Sequence, residues 1–154
     1  MNSYHYTECG LQNVMIDGLE FVFDDAGDEI ITIPAVNELH RVIALGIVTH
    51  KHGMSGEELR FLRTEMGFTQ AELAAVVHHD KQSIGRWERG EYDIDSAAEA
   101  IIRRMAIEKL ELDAQQGIDE LSRRSIPTVQ TQPINIQYAN DNGGDHPSYT
   151  LKAA

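Results

Sequence analysis

A single cysteine, Cys9, is the only thiol in this 154-residue chain, so no intramolecular disulfide can form, and a reducing, cytoplasmic setting is expected. No stretch approaches the roughly 20 apolar residues that a membrane-spanning helix needs, so no membrane partner is expected. Nor does an apolar run follow a basic segment at the start, as in a signal peptide. Positive charge is scarce. Thirteen Lys and Arg stand against 25 Asp and Glu, a net charge of −12, and this weighs against duplex DNA, whose affinity for proteins comes largely from neutralised phosphates. The deficit is uneven. Residues 1–50 hold eight acids against Arg41 alone (−7), residues 51–90 hold six of each (0), and residues 91–154 hold eleven acids against six bases (−5). Internal repeats are lacking. What is present is 42% apolar residues, enough for one ordinary domain or two small ones.

The least acidic third carries the clearest pattern, Phe68 to Gly90, FTQAELAAVVHHDKQSIGRWERG. Thr69 is placed to cap a short helix, QAELAAVV, in which Leu73, Ala74 and Val77 share a face. Asp80 is placed to cap a second, KQSIGRWE, in which Ile84 and Trp87 stand three apart and face the same way. Two short helices with a shared buried face make a helix-turn-helix. The second then turns Lys81, Gln82 and Arg86 outward. Those side chains suit the major groove, where guanine offers paired acceptors to Arg or Lys and adenine a donor and an acceptor to Gln.

The stretch resembles the Xre/Cro-type helix-turn-helix of phage lambda-type repressors, ungapped, with TQAELA opening the first helix and SIGRWERG closing the second. The resemblance implies a five-helix domain in which Lys81, Gln82 and Arg86 reach base edges. Gln70 would hold a phosphate through the start of its helix, and Thr69, Ser83 and Arg89 would lie along the DNA backbone. The chain departs from that pattern in the turn, where His78 and His79 replace a glycine and a small apolar residue, and at Gly85, which costs a helix about 1 kcal/mol against alanine. The histidine pair is either a pH-sensitive DNA contact, gaining charge near pH 6, or an uncharged part of the turn.

Around the motif the chain divides into three. Residues 1–50 read as a small antiparallel sheet with one helix: NVMI and LEFVF flank Asp17-Gly18 as a hairpin, IITI follows the DDAGDE turn, and Pro34 opens a helix with Val36, Leu39, Ile43 and Ile47 inward. Thr49 to Met54 is a polar break. Residues 51–124 form the helix-turn-helix domain, begun by a Ser55–Glu58 capping box and a helix with Leu59, Leu62 and Met66 on one face, ended by Gly67. Arg60 and Arg63 lie off that face, on a solvated side or against phosphates. A last helix from Ser96 places Ala98, Ile101, Ile102, Met105 and Leu110 on one side and continues through Leu112 towards Leu121, past a weak point at Gly117. Its apolar stripe serves a homodimer or packs on the N-terminal sheet. Residues 125–154, after the break at Pro127, are a polar tail with a turn at Asn142-Gly143-Gly144, either disordered or forming one edge strand through Ile134, Ile136 and Tyr138.

YHYTECGLQNV and IPAVNELH, together with the motif, are also similar to the MqsA-type antitoxin group over about residues 4 to 100. Members often carry a zinc domain built on paired Cys-x-x-Cys motifs. This chain has Cys9 alone, and His5, His40, His50 and His52 match no standard ligand spacing, so no metal or other cofactor is expected. An α+β chain whose function is sequence-specific DNA binding follows, as a homodimeric repressor on a palindromic operator. The antitoxin resemblance implies the alternative of a toxin-neutralising protein that represses its own promoter. No enzyme is expected: His78, His79 and Asp80 diverge from consecutive turn positions and no nucleophile accompanies them.

Overall fold

The computed structural model describes residues 3–114, 121, 132–141 and 146–152. Four short strands come first, β1 (Ser3–His5), β2 (Val14–Asp17), β3 (Phe21–Phe23) and β4 (Glu29–Ile31). Five helices follow, α1 (Val36–Thr49), α2 (Gly56–Met66), α3 (Gln70–Val77), α4 (Lys81–Glu88) and α5 (Ser96–Lys109), and then β5 (Ile134–Asp141) and β6 (His146–Leu151). The fold is α+β, but its main sheet is mixed rather than antiparallel, in the order β1-β2-β5-β6 with β2 and β5 parallel.

The expected hairpin across Asp17-Gly18 does not form. β2 already has β1 on one side and β5 on the other, so no edge is left for Phe21–Phe23. Gly18, at φ +91, instead turns the chain away where a Cβ would lie 2.6 Å from the Tyr138 carbonyl oxygen. β3 pairs with β4 across the Asp24–Asp28 turn. The tail also differs from a single edge strand. β5 is interior, with Ile134, Ile136 and Tyr138 buried, and β6 takes the edge.

Helix α1 lies on β5 and β6 and buries Leu39, Ile43, Ala44, Ile47 and Val48, while Val36 stays exposed. Pro34 is two residues ahead of this helix rather than its first residue, because Ala35 takes a left-handed conformation (φ 52) and the Pro34 carbonyl accepts the Tyr149 hydroxyl at 2.5 Å. α5 packs on α1, α2 and α3. Its inward face is Ala98, Glu99, Ile102, Arg103 and Ala106, with Ile101 exposed, so the expected stripe is rotated. The helix also stops sooner than expected. Leu110 caps it and Glu111 takes positive φ. Leu121 is buried, while the weak point at Gly117, the break at Pro127 and the Asn142-Gly143-Gly144 turn lie outside the described residues.

The rotation of α5 follows from a buried ion pair. Arg103 is fully buried beside Glu99, 3.0 Å away, and donates to the carbonyls of Val48, His50 and His52, while the Met54 N–H donates to Glu99 Oε1 at 3.0 Å. These bonds hold the Thr49–Met54 stretch, read from sequence as a polar break, firmly against α5.

A second joint forms at the start of α2. Ser55 and Glu58 make the expected capping box, and the buried Glu58 carboxylate also accepts from Asn13 Nδ2 at 3.2 Å and lies 3.5 Å from His50 Nε2. Asn13 in turn donates to the Gln132 carbonyl and accepts from Ile134 N–H, so sheet, tail and α2 meet there. Burial is the largest influence on the Glu58 carboxyl and pushes it up, but His50, Ser55 N–H and Asn13 outweigh it and hold the carboxyl below its ordinary value. The unfolded chain therefore binds more protons through that window. Glu58 contributes stability above the unfolded value of about 4.3, and that contribution is lost as pH falls through the folded value. Glu58→Gln is expected to flatten the acid limb of stability measured by urea unfolding between about pH 3 and pH 6.

Candidate nucleic-acid interface

Helices α3 and α4 are fixed by short-range chemistry. Thr69 and Glu72 form a reciprocal capping box at the start of α3, and Asp80 caps α4 by accepting from Ser83 N–H at 2.7 Å. Such caps are each worth about 1 kcal/mol. Hydrogen bonds from Ser83 hold the Asp80 carboxyl below its ordinary value, and those from Thr69 do the same for Glu72. Leu73, Ala74 and Val77 of α3 meet Ile84 and Trp87 of α4 in the core. His78 supplies the left-handed residue that ends α3 (φ 58), and the His79 ring packs edge-on against Trp87, with centroids 4.8 Å apart.

Because Ile84, Gly85 and Trp87 occupy the buried face of α4, Gln82 and Arg86, four residues apart, share its outer face, and Lys81 is exposed at the first position of the helix. The Arg86 guanidinium rests 5.8 Å from the Tyr92 ring centre, a contact that the motif alone did not suggest. Ser83 is half-buried beside the cap and Thr69 is exposed. Arg89 is exposed and paired with Glu91. Gln70 is turned inward, its Nε2 donating to Glu88 Oε1 at 3.0 Å.

Glu88 organises the inner side of this surface. Its carboxylate takes two hydrogen bonds from Arg63, at 2.6 and 3.0 Å, with side chains only 14% (Arg63) and 4% (Glu88) exposed. Arg63 is therefore not on a solvated face. Arg60 is, and it has no ion-pair partner among the described residues. A groove of about 240 Å³ opens between Arg60, Gln70, Gly85 and Arg89, floored by the Arg63–Glu88 pair. Nothing in the sequence tied Arg63 to Glu88, which are 25 residues apart.

Gly85 faces into this groove. A Cβ there would meet Arg89 Nη1 at 3.0 Å and Gln70 Oε1 at 3.6 Å, the ends of flexible side chains that can move. Gly85→Ala is expected to raise stability by up to about 1 kcal/mol through helix propensity while displacing the Arg89 guanidinium. Thermal unfolding and DNA retention of the same variant should then move in opposite directions.

Residues 59–98 match the family model described as Helix-turn-helix. That match, over a segment in which two capped helices share a core and one shows Lys81, Gln82 and Arg86 to solvent, supports a DNA-binding transcriptional regulator. No curated protein and no solved structure matches the chain. No helix among the described residues is long and apolar enough to cross a membrane, and no group of three His, Cys, Asp or Glu side chains among them converges on a metal position.

Proposed function

We propose that the protein is a sequence-specific, homodimeric repressor that lays α4 in the major groove of a palindromic operator, as the lambda-repressor-like resemblance implies. The observation that carries this reading is the exposed Lys81, Gln82 and Arg86 surface on a helix whose other face is buried. The nearby acids are occupied: Asp80 faces the Ser83 N–H and Glu88 lies inside beneath Arg63. An acidic molecule then binds DNA through a few placed contacts, and a dimer doubles them with recognition helices roughly 34 Å apart. Lys81, Gln82 and Arg86 address bases, with Thr69, Ser83 and Arg89 along the backbone, while Gln70 would reach a phosphate by giving up its bond to Glu88.

Selection of bound duplexes from a random pool tests binding, half-site spacing and symmetry together. On the selected site, Arg86→Ala or Gln82→Ala should cost about 1–3 kcal/mol and relax preference at one base pair per half-site. Unchanged affinity and preference for Arg86→Ala in a mobility-shift assay would remove its base-reading role.

A second reading, compatible with the first, is an antitoxin that also represses its own operon. Eight acids against one base in residues 1–50 favour it, since a negative surface suits a basic RNA-cleaving site. A small toxic reading frame beside this one, whose product co-purifies with the protein, would support it. An isolated gene would favour the plain regulator.

A further inference from the structure

The β3–β4 hairpin stands outside the main sheet as a separate two-stranded ribbon, an arrangement that is marginal in water on its own. Its register sets Phe21 opposite Ile31, Val22 opposite Ile30 and Phe23 opposite Glu29. Ile31 packs against the core. Strand alternation then puts the Val22–Ile30 pair on the outer face, and these residues are 51% and 42% exposed. Phe23, beyond the packed part of the inner face, is 70% exposed. The tip is held in shape by Asp24 Oδ1, which accepts from Ala26 and Asp28 N–H at 2.9 and 2.8 Å.

Around these apolar side chains stand Glu20, Asp24, Asp25, Asp28 and Glu29, all exposed, and no Lys or Arg precedes Arg41. None of the five is paired with a base among the described residues. An aromatic residue projecting from a shaped turn, with a β-branched pair beside it and carboxylates around it, has the anatomy of an interface centre with a charged rim. The same carboxylates repel nucleic acid and anionic lipid, and a two-fold contact between copies would set five of them against five.

We propose that this hairpin is a docking element for a protein partner that offers an apolar cleft ringed by lysine and arginine. Phe23 enters the cleft, Val22 and Ile30 cover its wall, and the carboxylates meet the basic ring. This function is separate from DNA reading by α4 and holds whether or not the partner is a toxin.

The test places the photo-crosslinker p-benzoylphenylalanine at Phe23 of the full chain in its host cell and identifies the adduct by mass spectrometry. The expected adduct is a different protein, crosslinked at a peptide next to a Lys- or Arg-rich surface. With that protein purified, affinity should fall tenfold or more for Val22→Thr/Ile30→Thr, and likewise for Glu20→Lys/Asp25→Lys, and should weaken with added salt. An adduct with a second copy or with another segment of the same chain, a partner surface without basic residues, affinity unchanged by charge reversal, or no adduct at all would overturn the proposal. Both double variants should keep the parent's near-ultraviolet circular dichroism and operator binding, so failure of the docking role is separable from failure of the DNA-binding reading.

Discussion

Replacing Glu88 with alanine is expected to destabilise the protein by about 3–5 kcal/mol, the usual cost of leaving one member of a buried ion pair without its partner. Arg63 would remain nearly enclosed. Its Nη1 would keep the Phe68 carbonyl at 2.9 Å, but Nε and Nη2 would lose both carboxylate oxygens, and Gln70 Nε2 would lose its acceptor. The double variant Arg63→Met/Glu88→Leu should recover more than half of that loss, because removing both charges removes the desolvation cost with them. Urea unfolding of Arg63→Met, Glu88→Leu and the double variant gives the coupling energy directly. A coupling below about 0.5 kcal/mol, the level of an exposed pair, would mean that the interaction is solvated in solution.

Arg103→Met should cost a similar amount, about 3–5 kcal/mol. Arg103 is fully buried and serves Glu99 together with three backbone carbonyls, those of Val48, His50 and His52. Methionine fills much of the volume but leaves a buried carboxylate and those carbonyls without their guanidinium. Lysine at this position should rescue little, since one ammonium cannot span the positions that the planar fork reaches. For a chain of this size each kcal/mol lowers Tm by roughly 2–4 °C, so a drop on the order of 10 °C is expected. Glu99→Gln should be milder, because an amide oxygen can still accept the Met54 N–H. Hydrogen exchange at the Met54 amide distinguishes the cases: fast in Arg103→Met, nearly protected in Glu99→Gln.

The helix-turn-helix was legible because its determinants are local. Thr69 with Glu72, Asp80 with Ser83, and Ser55 with Glu58 each act within three residues, and the apolar spacing of Leu73, Val77, Ile84 and Trp87 decides which side of each helix is buried. The sheet was not legible, for the opposite reason. Asp17-Gly18 is a good hairpin signal by composition, but the strand before it is claimed on both sides, once by residues far along the chain. Nothing near Val14 announces Ile134. The face of α5 was misread because arginine counts as polar in a periodicity, whereas Arg103 points inward to meet carbonyls contributed by a distant loop. In the candidate interface, sequence indicates which side chains α4 offers, while the inward turn of Gln70 and the pairing of Arg63 with Glu88 depend on where α2 lies.

The parallel neighbours β2 and β5 impose an order of events on synthesis. Asn13 and Gln132, which bond across that seam, are 119 residues apart, so a ribosome must translate past the helical segment before the N-terminal strands gain their inner partner. Helices α2 to α4, whose caps and core are local, can assemble on the nascent chain meanwhile. Val14–Asp17 waits with one open edge until the last two strands emerge, and a message cut short before codon 134 would yield a helical unit carrying an unfinished sheet, a natural substrate for chaperones and proteases.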